Sequence, residues 1–326
     1  MVNSAILSTG CYLPENVVYN QDLKQFPKNL LPFIASKTGV EARRFAIEDM
    51  CTSDLAIIAC NNCLKSINFN PLALDAVILA TSSPDRFQPA TATRVQNAIG
   101  AVNAFAFDIN SVCSGSVFAL AVADSFIRGG ICKNILVVAA EIYSRFLDPS
   151  DFSTFPYFGD GAASVLLSAT TTGERGILFT KLKTDGSKAD IIQVPAGGTM
   201  LPYYKMKNPK DIYFKMVGRE VYNFAINKGA EIITEILEET GIHKRDLRWI
   251  ICHQANINII KGMAKKLEID NNIFFTNLDK YGNTAAASVI IALHELLSSN
   301  LLQNGDLVLL VAFGGGLSWG ATLLKF

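Results

Sequence analysis

The sequence predicts an α/β fold in which one strand–helix–strand plan is used twice. Three observations lead there. The first copy runs from the strand LDAVILATSS (74–83) through FDINSVCSGSVFALAVADSFIRGG (107–130) to the strand KNILVVAAE (133–141); the second runs from LRWIICHQAN (247–256) through TNLDKYGNTAAASVIIALHELLSS (276–299) to GDLVLLVAFGGG (305–316). The spacing repeats, since Ile78 to Ile135 and Ile250 to Leu307 each span 57 residues. The flanking strands are continuous apolar runs, the pattern of strands covered on both faces, and such units build a mostly parallel sheet clothed by helices. Half of the 326 residues are hydrophobic and 18% are charged, enough apolar material for a large core.

In chain order, the opening MVNSAILSTGCYLPENVV has no basic region followed by a long apolar run, so no secretory leader is expected. SDLAIIACNNCLKSI (53–67) has apolar residues at helical spacing behind a Ser/Asp cap, which makes Cys60 and Cys63 packing residues of a helix. The helices over 116–127 and 285–297 are almost wholly Ala, Val, Ile, Leu and Phe, so both are expected to be buried on all sides and to lie side by side. Between the copies, SATTTGERG (168–176) reads as a loop. The stretch near 180–215, with scattered Gly, Pro and Lys, reads as an excursion of hairpins over the site. VGREVYNFAINKGAEIITEILEETGI (217–242) reads as a long amphipathic helix ended by Gly241. The organisation expected is two similar halves, 1–170 and 171–326, about a pseudo-two-fold axis.

The formal net charge is zero, which gives no support to a whole-surface nucleic-acid role. No apolar stretch reaches the roughly 18–20 residues of a membrane span. Seven cysteines, an odd number without disulfide rhythm, point to a reducing compartment and a cytoplasmic location. No His, Cys or Asp cluster has metal-ligand spacing, so no metal is expected.

Three side chains stand where chemistry is plausible. Cys113 lies at the turn that opens the first central helix, where unpaired N–H groups favour a thiolate, and Ser111, Ser114, Gly115 and Ser116 leave its sulfur unshielded. His253 follows a buried strand at the carboxyl edge, where ligands of α/β folds sit. Asn283 lies at the matching turn of the second copy. Singly, each has an ordinary structural reading: a packed thiol, a satisfied core histidine, a helix cap. The signal is the triplet. The glycines of FGGGLSWG (313–320) add backbone N–H groups able to face an oxyanion.

CSG opening an apolar helix, FGDGAA from Phe158, HQAN, YGNTAAAS and FGGGLSWG stand in this order along the chain, and the sequence resembles the β-ketoacyl-acyl-carrier-protein synthase III family from end to end. The resemblance implies a thiolase fold, with duplicated βαβαβαββ halves in a five-layered αβαβα sandwich, active as a homodimer. It implies that Cys113 takes an acyl group from acyl-CoA. The N–H groups of Cys113 and Gly315 would hold the thioester oxygen, and His253 and Asn283 would stabilise the enolate formed when a malonyl thioester loses CO2. It implies no permanently bound cofactor. Phe33 and Lys37 stand where the family has its CoA-stacking Trp and an Arg, and Gln88 where it shapes the acyl pocket across the dimer. Asn258 and Asn223 replace basic positions that meet the acyl carrier protein, while Lys265 and Lys266 remain for docking. Other readings within the resemblance are a polyketide or quinolone starter condensation and acyl transfer to an alcohol or amine without decarboxylation. Outside it stand a Cys–His–Asn hydrolase, against which the internal repeat argues, and an inactive thiolase-fold binding module.

Overall fold

The computed structural model describes residues 2–171 and 175–326. The first half begins with β1 (Asn3–Tyr12), β2 (Val17–Tyr19), α1 (Pro32–Thr38) and β3 (Ala42–Arg44). It continues through α2 (Thr52–Ser66), β4 (Ala76–Ala80), α3 (Thr91–Ala98) and β5 (Phe105–Ile109), then α4 (Gly115–Arg128), β6 (Asn134–Glu141) and β7 (Gly161–Thr170). The second holds β8 (Gly176–Thr184), the short pair β9 (Ile192–Gln193) and β10 (Lys215–Met216), α5 (Gly218–Thr240), β11 (Leu247–Cys252) and α6 (Ile257–Leu267). It closes with α7 (Leu278–Tyr281), α8 (Ser288–Ser298), β12 (Leu307–Gly314) and β13 (Ser318–Lys325).

Two sheets carry the molecule, in the orders β1-β7-β6-β4-β5 and β11-β12-β13-β8. The repeat is visible in the register: Ile78 pairs with Val137 and Ile250 with Leu309, the same separation in both halves. The expectation of mostly parallel sheets is corrected. β5, β4 and β6 run parallel, but in the second sheet only β11 and β12 do, and β1, β7, β13 and β8 join antiparallel. β12 and β13 are joined by a tight turn, and a short connection forces the returning strand to run backwards.

The layers follow from which apolar faces meet. α2 and α3 cover the outside of the first sheet, and α5 and α6 that of the second. α4 and α8 lie between the sheets in one core with Val117, Leu120, Ile290 and Leu293, giving five layers. α8 is buried almost all round, as expected. α4 is not: Phe118, Val122 and Phe126 are half-buried, with Phe126 packed edge-on against Phe105 and Phe107 of β5. That face looks toward the free edge of the first sheet.

Other local expectations resolve simply. α5 ends at Gly241 in the left-handed conformation, as the glycine required. α2 starts one residue before the Ser/Asp cap: Cys51 is its N-cap, and its N–H donates to Asp54 Oδ2 at 2.8 Å. Cys60 and Cys63 are fully buried, free thiols, with Cys63 Sγ 3.1 Å from Ser8 Oγ. The expected loop over 168–176 is narrower, because β7 runs to Thr170 and β8 starts at Gly176; residues 172–174 lie outside the described residues. The 180–215 excursion contains 3-10 turns and one two-stranded ladder, β9 with β10.

Candidate active site

β5 delivers the chain to Asn110, whose Oδ1 accepts the Val112 N–H at 3.2 Å. Val112 is forced to φ 46°, a costly value for a β-branched residue, and the 3-10 turn Val112–Ser114 leads into α4. Cys113 thus precedes the helix by two residues rather than opening it. Its surroundings demand small side chains: a Cβ on Gly115 would lie 3.2 Å from Ala80 Cβ, and one on Gly314 would lie 2.8 Å from Cys113 N. The latter approach brings the end of β12 onto the Cys113 backbone and sets the glycine run beside the thiol.

His253 leaves β11 with its N–H donating to Val311 O at 2.8 Å, and its ring stands edge-on to Phe313 at 5.4 Å. Its Nδ1 lies 2.7 Å from Ser288 Oγ, which also faces the Gln254 N–H at 3.4 Å. With the hydroxyl oxygen accepting from that N–H, its proton goes to Nδ1, and we assign the ring proton to Nε2. Burial holds the imidazole well below its ordinary range, at about 3, so the ring is neutral. Asn283 is clamped by its backbone, whose N–H donates to Tyr157 O at 2.8 Å and whose carbonyl accepts from Gly159 N at 3.0 Å. Its Oδ1 accepts the Ala285 N–H at 2.9 Å, which turns the amide so that the NH2 end is left to donate.

Cys113, His253 and Asn283 line one cavity of about 770 Å³, together with Phe158, Ile192, Phe214, Met216 and Gly314. The sequence expectation of an unshielded, activated sulfur is corrected. Cys113 is 8% exposed, because Ile192, Phe214 and Met216 of the excursion fold over the site, and the thiol is reached only through the cavity. Burial, reinforced by the Glu141 charge, pushes the thiol up, so its resting form is protonated.

Of the other candidates, Lys37 and Lys265 line the cavity with Lys261, a lysine the sequence reading did not single out. Phe33 is about half exposed outside the cavity lining, with Lys37 Nζ 5.5 Å from its ring centre. Asn258 lines the cavity and ties α6 to α1, its Nδ2 donating to Lys37 O at 2.7 Å. Lys266 turns away and donates to Asn227 Oδ1 at 2.6 Å. Gln88 is exposed and lines neither this cavity nor the neighbouring one of its own chain. Gly315 is buried against Val112 and Ile192. Among the described residues no cluster of His, Cys, Asp or Glu is arranged to hold a metal, and no helix is long and apolar enough to cross a membrane.

Several residues that matter here carried no signal of their own in sequence. Glu141 ends an apolar strand fully buried, yet its carboxylate accepts from Ser82 N and Ser82 Oγ, each at 3.0 Å, and from Ser83 Oγ. Burial holds it up at about 7 against those hydrogen bonds. Gln254 braces the turn after His253, donating to Cys252 O at 2.6 Å and accepting from Asn277 N at 3.0 Å, while Asn256 caps α6. The HQAN motif held these residues, but nothing in it separated the braces from the chemistry.

Two family models match the chain, 3-oxoacyl-acyl-carrier-protein (ACP) synthase III over residues 107–186 and its C-terminal counterpart over 237–326. The chain is 40% identical over 324 residues to a β-ketoacyl-acyl-carrier-protein synthase III of Clostridioides difficile, covering 99% of this chain and 98% of that protein. A protein of the same name from Clostridium perfringens is 41% identical over 325 residues, covering both chains completely. The crystal structure of 3-oxoacyl-acyl-carrier-protein synthase III from Aquifex aeolicus superposes with a TM-score of 0.90 at 38% identity, covering 99% of this chain and 100% of that one. A priming β-ketosynthase of the R1128 polyketide pathway gives the same TM-score of 0.90 at 26% identity, covering 99% and 96%.

Proposed function

The chain belongs to the β-ketoacyl-acyl-carrier-protein synthase III family, and from that premise we propose that Cys113, His253 and Asn283 carry out its reaction in the cavity they line. It has the thiolase fold and is a condensing enzyme of the acyltransferase class, of the type that initiates fatty-acid synthesis. The observation that carries the assignment is the meeting of these three side chains, from both halves, on one cavity wall.

In the first step Cys113 Sγ bonds to the carbonyl carbon of an acyl-CoA. The bond from that carbon to the CoA sulfur breaks, and the thiol proton leaves with CoA. Because the resting thiol is protonated, charge develops during the step rather than before it. In this reading the N–H groups of Cys113 and Gly315 stabilise that charge. In the second step a malonyl thioester enters. Its bond to the carboxylate breaks, CO2 departs, and the electron pair moves toward the thioester oxygen as an enolate. His253 Nε2–H and Asn283 Nδ2–H donate to that oxygen. Two neutral donors suit it, since neither adds a countercharge that would hold the malonate carboxylate in place. The enolate carbon then attacks the acyl carbonyl, the bond to Cys113 Sγ breaks, and the sulfur takes up a proton from solvent. The reaction as proposed uses no resident cofactor.

Lys37, Lys261 and Lys265 line the cavity with no acidic side chain among the lining residues, which suits the phosphates of CoA and an acidic carrier protein. Lys266, bonded to Asn227, is outside this set. The homodimer is proposed through β5, an edge strand with Phe105 45% exposed and an open hydrogen-bonding ladder. Intact-protein mass spectrometry after incubation with acyl-CoAs, then with malonyl-CoA or malonyl carrier protein, tests the proposal. An acyl adduct is expected on the wild type and none on Cys113→Ser. Equal labelling of the variant rejects the nucleophile.

A further inference from the structure

Once Cys113 is acylated, the second thioester must enter through the same cavity, so the acyl chain has to turn out of its path. A second cavity of about 520 Å³, lined among others by Ser82, Asn110, Val112, Tyr143 and Phe146, adjoins the first. Ile192 and Phe214 line both. Between them, Phe158 lines only the first cavity and Tyr143 only the second, and their rings stack at 5.0 Å and 12°. Phe214 stands edge-on to both rings, 5.5 Å from Tyr143 and 5.2 Å from Phe158. Tyr143 is 4% exposed and packs in one apolar cluster with Cys113.

We infer that Tyr143 is the specificity-determining residue of the acyl chamber: its ring, packed in one cluster with Cys113 and stacked behind Phe158, closes the way into the second cavity and admits only short acyl groups. The wall is a pair of stacked rings, Phe158 on the side of Cys113 and Tyr143 on the side of the second cavity. A short chain ends against it, and a longer chain needs the volume the Tyr143 ring occupies. The inference rests on the assignment of Cys113 as the acylated residue.

The test is competitive loading of acetyl-, butyryl- and octanoyl-CoA, read as adduct masses. The wild type is expected to load acetyl at least about tenfold faster than octanoyl, the scale on which a closed apolar pocket discriminates. Tyr143→Phe keeps the ring and should keep the limit. Tyr143→Leu and Tyr143→Ala should each raise the octanoyl-to-acetyl ratio at least about tenfold. Octanoyl loading on the wild type as fast as acetyl overturns the inference without any variant. So does an unchanged ratio in both smaller variants when their circular dichroism is native. A wild type that takes no acyl group from any of the three rejects the Cys113 assignment instead, and the inference with it.

Discussion

The two halves make the same turn twice and arm it differently. In the first, Asn110 Oδ1 accepts from Val112 N, Val112 sits at φ 46°, and the 3-10 turn Val112–Ser114 runs into α4. In the second, Asn283 Oδ1 accepts from Ala285 N, Ala285 also sits at φ 46°, and the 3-10 turn Ala285–Ala287 runs into α8. In this register Cys113 corresponds to Ala286 and Asn110 to Asn283. One half keeps the sulfur and the other the carboxamide that faces the same cavity. The duplicated backbone supplies position, and a few substitutions divide the labour.

The sharpest way to break that comparison is to remove the two asparagines separately. Both make the same local hydrogen bond, but Asn283 lines the catalytic cavity and Asn110 the second one. Asn283→Ala should leave acyl loading intact while lowering CO2 release from the malonyl thioester by about 10²–10³-fold, as for loss of one oxyanion donor. Asn110→Ala should leave CO2 release within about threefold and cost about 1 kcal/mol of stability for the lost turn bond. Equal losses of CO2 release in both would mean that the turn, not the carboxamide, carries the effect.

The halves differ again at their edges. β5 is a full edge strand, whereas its counterpart beside β11 shrinks to a single bridge, Ile250 with Phe274. Only the first edge can offer a ladder to a second copy. Phe105→Glu puts a charge on that edge. It should weaken dimerisation by about a hundredfold, the scale of a central aromatic anchor, measured by sedimentation against concentration. A dimer of unchanged affinity would move the interface elsewhere.

Much of this was legible in sequence, and the reason is physical. A repeat of equal spacing fixes register, so the turn carrying Cys113, the strand end carrying His253 and the turn carrying Asn283 follow from position alone. What was not legible depends on contacts between distant segments. The thiol read as open because nothing in Ile192, Phe214 or Met216 has a periodicity that places it over Cys113. The thiol read as activated because the helix start is local, while the burial that keeps it protonated is not. Glu141 visibly interrupts an apolar run, but the strand alone does not name what holds its carboxylate. Its partners Ser82 and Ser83 lie 58 or 59 residues away. The parallel-sheet expectation failed where no α-helix joins consecutive strands, as between β6 and β7 and between β12 and β13, and where β1 and β8 add at the edges.

Gly115 and Ser288 are the next pair in the register, each the first residue of its helix. Gly115 lets α4 approach Ala80, whereas Ser288 gives its hydroxyl to His253 Nδ1 at 2.7 Å. Ser288→Ala removes that bond and frees the ring to place its proton on either nitrogen. Loading should be unchanged and CO2 release should fall about tenfold, the cost of one buried hydrogen bond left unmade. The pH dependence has a definite sign. The folded ring, held at about 3, stays neutral while the unfolded chain takes up a proton below the ordinary 6.5. This contribution to stability is therefore complete above pH 6.5 and is lost as the pH falls toward 3. CO2 release from the acylated wild type should stay level as far as His253 controls it between about pH 8 and pH 5. A fall near pH 6.5 that disappears with His253→Gln would show that the ring protonates in the working enzyme.

The smallest effect separates the two strained residues themselves. A left-handed φ costs a non-glycine residue about 1–3 kcal/mol, and a β-branched one most. Glycine at either position relieves that cost but frees the unfolded chain, which takes back about 0.5–1 kcal/mol. Ala285 is fully buried and would lose one methyl, about 0.8 kcal/mol. Ala285→Gly should therefore fall within about 0.5 kcal/mol of the wild type in urea unfolding, the terms nearly cancelling. Val112 is half-buried and packs on Gly315, so Val112→Gly surrenders more contact than the strain returns and should cost about 1 kcal/mol. An Ala285→Gly variant that loses as much as a glycine in an ordinary helix would mean the second turn carries no strain. Of the two matched turns, only the first would then hold its backbone under tension, beside the sulfur it positions.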